Sequence, residues 1–383
     1  MAQGYAGAYN SFIPNHEATG NLVTSFSRNV SDFALNKYVT YQNVDKTTGY
    51  FAKLAFEQAA RLPQSDLSDF SWGESNDAPT GNWQKELLSW DTYNTNRYAF
   101  PFQLGDLFVG QASWNVVSQY AAIVAQQAMT GRTLLTYTSL DTSANWISAN
   151  ASGGQWFSYA GTTGGGSTGA LYFLGVSGGT TSTTSGLAGV AAGTSNNPLM
   201  KKLIIAAVKQ MNKYTLGVLK PSQFALVMSP DLALQLSVSE ELQDFLKQSP
   251  VSYGMVQSGN VDQSIGNGSK WGLADTLYGL PVIVDDTVRI TAKKKGTGQT
   301  TPAATGSYIW GNSLAIIARP GALNGGPIGS PSFSAVHLFF KEEMTVETMH
   351  DVNNRRVDGR VVENYAVKPV STAGLFFIEN ALG

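Results

Sequence analysis

The sequence predicts an α+β protein of about two or three packed units on one chain, with strands predominating toward the C-terminus. Three observations predict it. One helical period of apolar residues runs from Asp106 to Thr130. Short runs rich in Val, Ile and aromatics recur from Gln223 onward. The length, 383 residues, exceeds what a single compact core usually holds.

Composition narrows the class. Hydrophobic residues make up 43%, enough to bury a core, but charged residues make up only 14%, against roughly 25% in an ordinary soluble domain. A lone monomer keeps itself in solution with a charged coat. A surface this poor in charge implies that other subunits cover much of it, although a secreted glycine- and serine-rich monomer would also lower the fraction. The net charge of −2 predicts no strong overall pull on nucleic acid or an anionic membrane. The absence of cysteine removes disulfides, thiolate metal sites and cysteine nucleophiles together, and fits a reducing cytoplasm. Met1 to Pro14 carries neither a basic cluster nor an apolar run, so no signal peptide is expected. Leu203 to Val208 is the most apolar short run; it is flanked by lysines and far too short to cross a bilayer.

Read in order, Met1 to Asp32 is small, polar and aromatic without sustained periodicity, which suits an extended arm lying on something else. Tyr38 to Val44 has strand composition. Tyr50 to Leu54 is its expected hairpin partner, with Asp45-Lys46-Thr47-Thr48-Gly49 as the turn. The hairpin's apolar residues do not sort onto one face, so partners are expected on both. Gln64 to Gln103 is irregular and aromatic, a long stretch that something outside the chain is expected to hold. The helix follows: Trp114, Val117, Ala121, Val124 and Ala128 recur at steps of three and four, and Gly131 is the expected C-cap. No charge occurs between Asp106 and Arg132.

From Asp141 to Lys201 no charged residue intervenes, and Gly, Ser and Thr alternate with Trp146, Trp156, Phe157 and Tyr172. That pattern reads as a β-rich insertion with glycine turns. Asn197-Pro198 then opens a helix with an apolar face of Met200, Leu203, Ile204, Ala207, Met211 and Tyr214. A buried strand is expected over Gln223 to Met228 and a helix from Ser229-Pro230-Asp231. Ser237 with Glu240 forms a capping box for another helix ending before Pro250. Leu277 to Asp286 reads as a turn feeding a short buried strand, and strands are expected over Ser307 to Ile317, Ser332 to Phe340, Met344 to His350, Val361 to Val367 and Ala373 to Ile378.

The order of these elements from Tyr38 onward resembles the major capsid proteins of tailed bacteriophages, which share the Hong-Kong-97-type fold. Two strings carry most of the likeness. Tyr278-Gly279-Leu280-Pro281-Val282 is similar to that family's G-x-P-V turn and strand, and Glu347 to Arg360 is similar to its late hairpin. The resemblance implies an N-terminal arm over residues 1–32, an extended β-hairpin loop region over 33–105, and a long spine helix opening the peripheral domain over 106–140. It places a Gly/Ser/Thr-rich β insertion, a departure from the family, at 141–197. A mainly axial domain follows over 198–331, and peripheral-domain strands, late hairpin and return strand over 332–383. It further implies a structural protein that assembles with itself into pentamers and hexamers, closing an icosahedral shell around double-stranded DNA without sequence-specific binding or membrane contact. Scaffolding, portal and decoration proteins are implied partners, the virion is the implied location, and assembly is implied in the host bacterial cytoplasm. Trp72, Trp83, Trp90, Tyr38 and Tyr50 are expected as inter-subunit contacts, since large rigid aromatics bury the most area per immobilised side chain.

Chemical motifs are weak by comparison, and no catalytic, cofactor-binding or metal residues are assigned. Gly165 to Gly169 and Gly175 to Gly179 both satisfy G-x-S-x-G, with Ser167 and Ser177 as nucleophiles and Asp285, His337 or His350 following in chain order. Thr180 to Gly186 is a poor helix after Ser177, and glycine-serine tracts generate the pattern by chance. Glu347-Thr348-Met349-His350 has metal-ligand spacing for a helix, but Thr345 and Val346 favour a strand, where those side chains point apart. His16, His337 and His350 without cysteine make no zinc site. Gly266, Gly268 and Gly272 resemble a dinucleotide loop only loosely, with no strand before them. Lys293-Lys294-Lys295 and Arg355, Arg356 and Arg360 could meet phosphates or form ion pairs between subunits, and solvated loops explain them as well. Two other functions fit parts of the pattern: an encapsulin-like bacterial nanocompartment shell, and a secreted serine hydrolase.

Overall fold

The structure, a computed structural model, describes residues 28–53, 89–112, 115–146, 156–158, 200–215, 217, 219–237, 266–290, 306–320 and 334–379. Its elements in chain order are α1 (Leu35–Tyr38), β1 (Thr40–Asn43), β2 (Thr48–Lys53), β3 (Ser89–Asn94), β4 (Asn96–Gly105), α2 (Asp106–Gln111) and α3 (Val116–Leu140). There follow β5 (Trp156–Ser158), α4 (Met200–Tyr214), β6 (Phe224–Met228), α5 (Pro230–Ser237), β7 (Thr276–Leu277), β8 (Leu280–Val284), β9 (Val288–Ile290) and β10 (Gly306–Tyr308). The chain closes with β11 (Leu314–Ala318), β12 (Val336–Asp351), β13 (Arg356–Pro369) and β14 (Leu375–Glu379).

Two sheets organise the molecule. The central strands of the first, ordered β5-β14-β11-β6-β8-β7, read as unbroken apolar runs because both faces are covered. Every residue of β6, β8 and β11 is buried. Helix α4 packs across β11 and β14 through the buried Ile204, Ala207 and Met211. Tyr278 and Gly279, both at positive φ, make the two-residue turn between β7 and β8, as the sequence suggests.

The second sheet, ordered β1-β12-β13-β4, is built on a long antiparallel hairpin of β12 and β13. Pleat alternation divides its residues cleanly. Val361 and Glu363 face α3, while Arg360, Val362, Asn364 and Ala366 face away. Gly359 stands directly opposite Phe102 on β4, and a Cβ there would lie only 2.1 Å from the ring, so the glycine lets Phe102 lie flat across the strand. Phe102 then packs with Leu104, Val116, Ala121, Val124 and Ala128 into the seam between sheet and helix.

Several elements depart from the sequence reading. β1 and β2 do not pair with one another. Burial of Tyr38 and Val39 in the main core draws β1 alongside β12 in parallel, and β2 pairs instead with β3. The long helix is not continuous from Asp106. A short α2 precedes it, and α3 starts where the Asn115 side chain accepts the Ser118 N–H at 3.0 Å. Nor does it stop at Gly131. That residue lies in mid-helix, where a Cβ would meet the Phe100 ring in ordinary contact at 3.4 Å, and the helix runs to Leu140, about 37 Å in all. The Trp146 indole caps the Leu140 carbonyl at 2.9 Å. The expected strand from Ser307 breaks into β10 and β11 around the fully buried Trp310 and Gly311 at φ 48°. The strands expected at 332–340 and 344–350 are one, β12, whose irregular register around Glu342 takes up the charged run Lys341-Glu342-Glu343. Asn197-Pro198, Glu240 and most of the Gly/Ser/Thr-rich stretch lie outside the described residues, and β5 is the strand described within that stretch.

One ion pair joins helix to sheet. Arg132 of α3 donates from Nε to Glu363 Oε2 of β13 at 2.7 Å, with Nη2 at 2.5 Å from the same oxygen. Its guanidinium lies over the Phe340 ring, 4.6 Å from the centroid. Glu363 is wholly buried; burial pushes its carboxyl above the usual range and Arg132 opposes that shift. Breaking such a pair leaves a buried charge without a counter-ion, whereas replacing both partners with apolar groups does not. Arg132→Met should therefore cost about 3–5 kcal/mol in denaturant unfolding, and Arg132→Met with Glu363→Leu should recover most of it. Equal losses in the single and double variants would contradict this account.

Candidate assembly surface

The most exposed large aromatics of the described chain lie on the β2–β3 ribbon. Its two faces differ by parity. Phe51 and Tyr93 point inward: Tyr93 lies over Gly49, its direct partner, and stacks on Phe339 of β12 at 4.9 Å with 7° between the planes. Phe51 meets the same ring at 5.1 Å, and Ala366 and Val370 complete the patch. A Lys53–Asp91 contact at 3.9 Å braces the ribbon. Tyr50 and Trp90 point outward, 75% and 62% exposed, at diagonal positions on one face. The ribbon is thus clamped to its own sheet on one side and presents two bare aromatics on the other.

Beyond the ribbon, the face of the sheet opposite α3 is open. It carries a ladder of charges: Arg97 reaches Glu347 at 3.4 Å and Glu342 at 3.8 Å, Arg360 donates to Glu347 at 2.5 Å, and Gln103 donates to Asp358 at 2.9 Å. Arg356 contacts Asp351 and Asp358. An open groove of about 770 Å³ runs over Pro101, Gln103, Met349, Asp358 and Arg360, with Met349 68% exposed. Val352, at the hairpin tip, is 73% exposed.

The aromatics expected as subunit contacts therefore separate. Trp90 and Tyr50 are exposed as such contacts require. Tyr38 is not: it is wholly buried and donates to Asp285 Oδ2 at 2.8 Å, so that expectation is corrected. The reason lies in its neighbour, a buried carboxylate that needs donors. Asp285 Oδ2 also accepts the Trp310 indole N–H at 3.1 Å, and Oδ1 accepts the Thr287 N–H at 3.1 Å and hydroxyl at 2.5 Å. Burial still pushes the Asp285 carboxyl up, against the pull of these donors. Trp72 and Trp83 lie outside the described residues.

The chemical motifs come apart in the same way. Ser167, Ser177, His16 and Lys293–Lys295 lie outside the described residues. Asp285 and His337, the acid and base of a possible relay, face different partners: His337 accepts the Ser334 N–H on Nε2 and faces Gln42 Oε1 with Nδ1, both at 3.4 Å. Glu347 and His350 point apart on their strand, one to Arg360 and the other to Asp106 Oδ1 at 2.7 Å. Arg355 caps the hairpin turn at φ 49°. Gly266 and Gly268 fit tightly against the carbonyls of Asp275 and Ala274, where a side chain would clash, so they pack a turn rather than cradle a phosphate. Among the described residues no group of three His, Asp or Glu side chains could hold a metal ion, and no helix is long and apolar enough to cross a membrane. What sequence reasoning missed is Arg132 with Glu363. The signal was present: Arg132 continues the apolar stripe of Ala121, Val124 and Ala128 at a step of four.

His337 has a pH consequence. It is 4% exposed, and burial lowers its pKa from 6.5 to about 4. Both ring nitrogens are already engaged by a donor and an acceptor, so the folded state holds the neutral ring. Because the folded pKa is depressed, the stability this contributes is present above pH 6.5 and is lost as the pH falls toward 4. Relative to His337→Phe, the wild type should lose on the order of 3 kcal/mol between pH 7 and pH 4 in denaturant titrations. Parallel pH profiles for the two proteins would refute the assignment.

Comparison with known proteins bears on the fold. No family model and no curated protein sequence matches the chain. Solved structures do. A phage-related protein from Bordetella bronchiseptica RB50 superposes with a TM-score of 0.53 at 10% identity, covering 94% of this chain and 95% of that one. The capsid of cyanophage P-SCSP1u superposes with a TM-score of 0.50 at 11% identity, covering 92% of this chain and 88% of that one. With its long helix crossing a sheet built on the late hairpin, the chain has the α+β capsid fold of the tailed phages.

Proposed function

We propose that the chain is a major capsid protein, a structural rather than catalytic molecule, that assembles with itself into pentamers and hexamers of an icosahedral phage head around double-stranded DNA. The observation that carries this reading is the β2–β3 ribbon. Its inner face is consumed by Phe339, while Tyr50 and Trp90 stand out on a chain with few surface charges. Exposed aromatics on a braced support gain burial only against another body, and in a closed shell that body is a second copy. The capsid fold supports the same reading, as do the uncharged outer positions of α3, where Arg132 is the single charged residue from Val116 to Leu140 and is buried.

On this reading residues 33–105 serve as the extended loop region and 106–140 as the spine. Residues 198–331 are mainly axial, and 332–383 complete the peripheral domain. The protein resides in the virion after assembly in the host cytoplasm, where scaffolding, portal and decoration proteins would meet it.

Two measurements test the proposal: expression of the chain alone, and together with the neighbouring genes of its genome, followed by negative-stain microscopy and light scattering. Closed particles or six-membered capsomers are expected, and a stable monomer under both conditions would overturn the proposal. Trp90→Ala and Tyr50→Ala should abolish closed particles while shifting monomer stability by less than about 0.5 kcal/mol. Tyr38→Ala should act the opposite way, destabilising the monomer itself by about 3–5 kcal/mol through the cavity left by a wholly buried ring and the loss of one of the donors to Asp285.

A further inference from the structure

The outer face of the β2–β3 ribbon carries no charge. Residues directly opposite one another in an antiparallel pair share a face, so Thr48 with Asn94, Tyr50 with Thr92, and Ala52 with Trp90 all point away from Phe339. All of them except Ala52 are exposed. The two charged residues of these strands, Lys53 and Asp91, have the other parity and approach each other at 3.9 Å.

That neutrality decides between two receivers for Tyr50 and Trp90 on a second copy. One is the open groove, where Met349 and Pro101 lie beside the Arg360–Glu347 ion pair and Asp358. Covering it with aromatic rings would take those charges out of water and give them no new partner. The other receiver is the ribbon's own outer face. Two copies of it meet with no charge buried and no like charges opposed.

Placement provides the geometry. Tyr50 and Trp90 stand on different strands, two residues apart in register and about 7–8 Å from corner to corner, with Thr92 and Ala52 at the other two corners of the patch. A two-fold axis in the plane of the contact, crossing the Tyr50–Trp90 diagonal at its midpoint, lays Tyr50 of each copy on Trp90 of the other. The ~4.8 Å strand spacing and ~6.8 Å two-residue step are similar, so that axis also passes within about 2 Å of Thr92 and Ala52 in projection.

We infer that the outer face of the ribbon is an isologous contact, packing on the same face of a second copy across a two-fold axis, Tyr50 against Trp90 and Trp90 against Tyr50. The inference rests on the capsid reading above and gives the ribbon its place in the shell. An isologous contact closes after two copies, whereas a pentamer or hexamer needs head-to-tail contacts. The ribbon therefore ties one capsomer to the next and leaves closure within each capsomer to other surfaces. Two aromatics from each copy bury roughly 600 Å² together, about half of the ~1,200 Å² of a stable free complex, so the tie holds through repetition around the shell.

The chain has no cysteine, so Thr92→Cys introduces a single thiol close to the axis. Facing sheets stand about 10 Å apart, too far for a direct disulfide, so assembled shells are treated with a short bis-maleimide and run on a denaturing gel. Covalent dimers are expected. Shells of Thr92→Cys that yield no dimer would overturn the inference and leave the capsid reading standing. A second measurement uses charge. Thr92→Glu and Thr92→Lys each oppose like charges across the axis and should each prevent closed shells, whereas the two variants co-expressed should form them again. Closed shells from either variant alone, or none from the mixture, would also overturn the inference. Failure of the wild type to form shells under any condition would instead sink the capsid reading itself.

Discussion

Helix α3 and strand β13 are held face to face by Arg132 and Glu363, and this buried pair constrains almost everything around it. Two charges removed from water are tolerated only where geometry and neighbours compensate them. Arg132 meets Glu363 through two nitrogens and lies over Phe340, so helix rotation and strand register must agree. A one-residue slip of β13 would turn Glu363 to the other face and leave the guanidinium buried alone. The pair thus selects one arrangement among many that apolar packing would permit.

Register on that face decides the opposite one. With Val361 and Glu363 turned toward α3, the alternate residues of β13 must face away. At the end nearer Ala366 they receive the β2–β3 ribbon through Phe339, Phe51 and Tyr93. Toward the hairpin tip they remain open and carry the charge ladder. Glycines opposite aromatics appear at both places, Gly49 under Tyr93 and Gly359 beside Phe102, where flat rings fill the space a side chain would have occupied. Stability and presentation are therefore two faces of one pleat.

On the capsid reading proposed above, the same division suits the molecule to assembly. Among the described residues Arg132 and Glu363 are paired in the interior, arginines and carboxylates are matched across the strands of the second sheet, and the exposed Tyr50 and Trp90 stand on a support that does not depend on them. Trp90 and Tyr50 can be covered or uncovered without disturbing Phe51 and Tyr93 beneath. A subunit that must be stable alone and adhesive in company needs that separation.

Much was legible in the sequence because it depends on local order. The helical stripe through Val117, Ala121, Val124 and Ala128, the buried strand ending at Met228, the turn and strand after Leu277, and the late hairpin all follow from periodicity and turn chemistry, which act between residues close in the chain. Tertiary structure decided the rest. That β1 pairs with β12 and not with β2, that the helix runs through Gly131 beside Phe100, and that Tyr38 is a core residue while Trp90 is a surface one all depend on partners outside the local stretch of chain, several of them hundreds of residues away. Composition marks a residue as suited to burial; only the fold determines whether its own chain or another molecule does the burying.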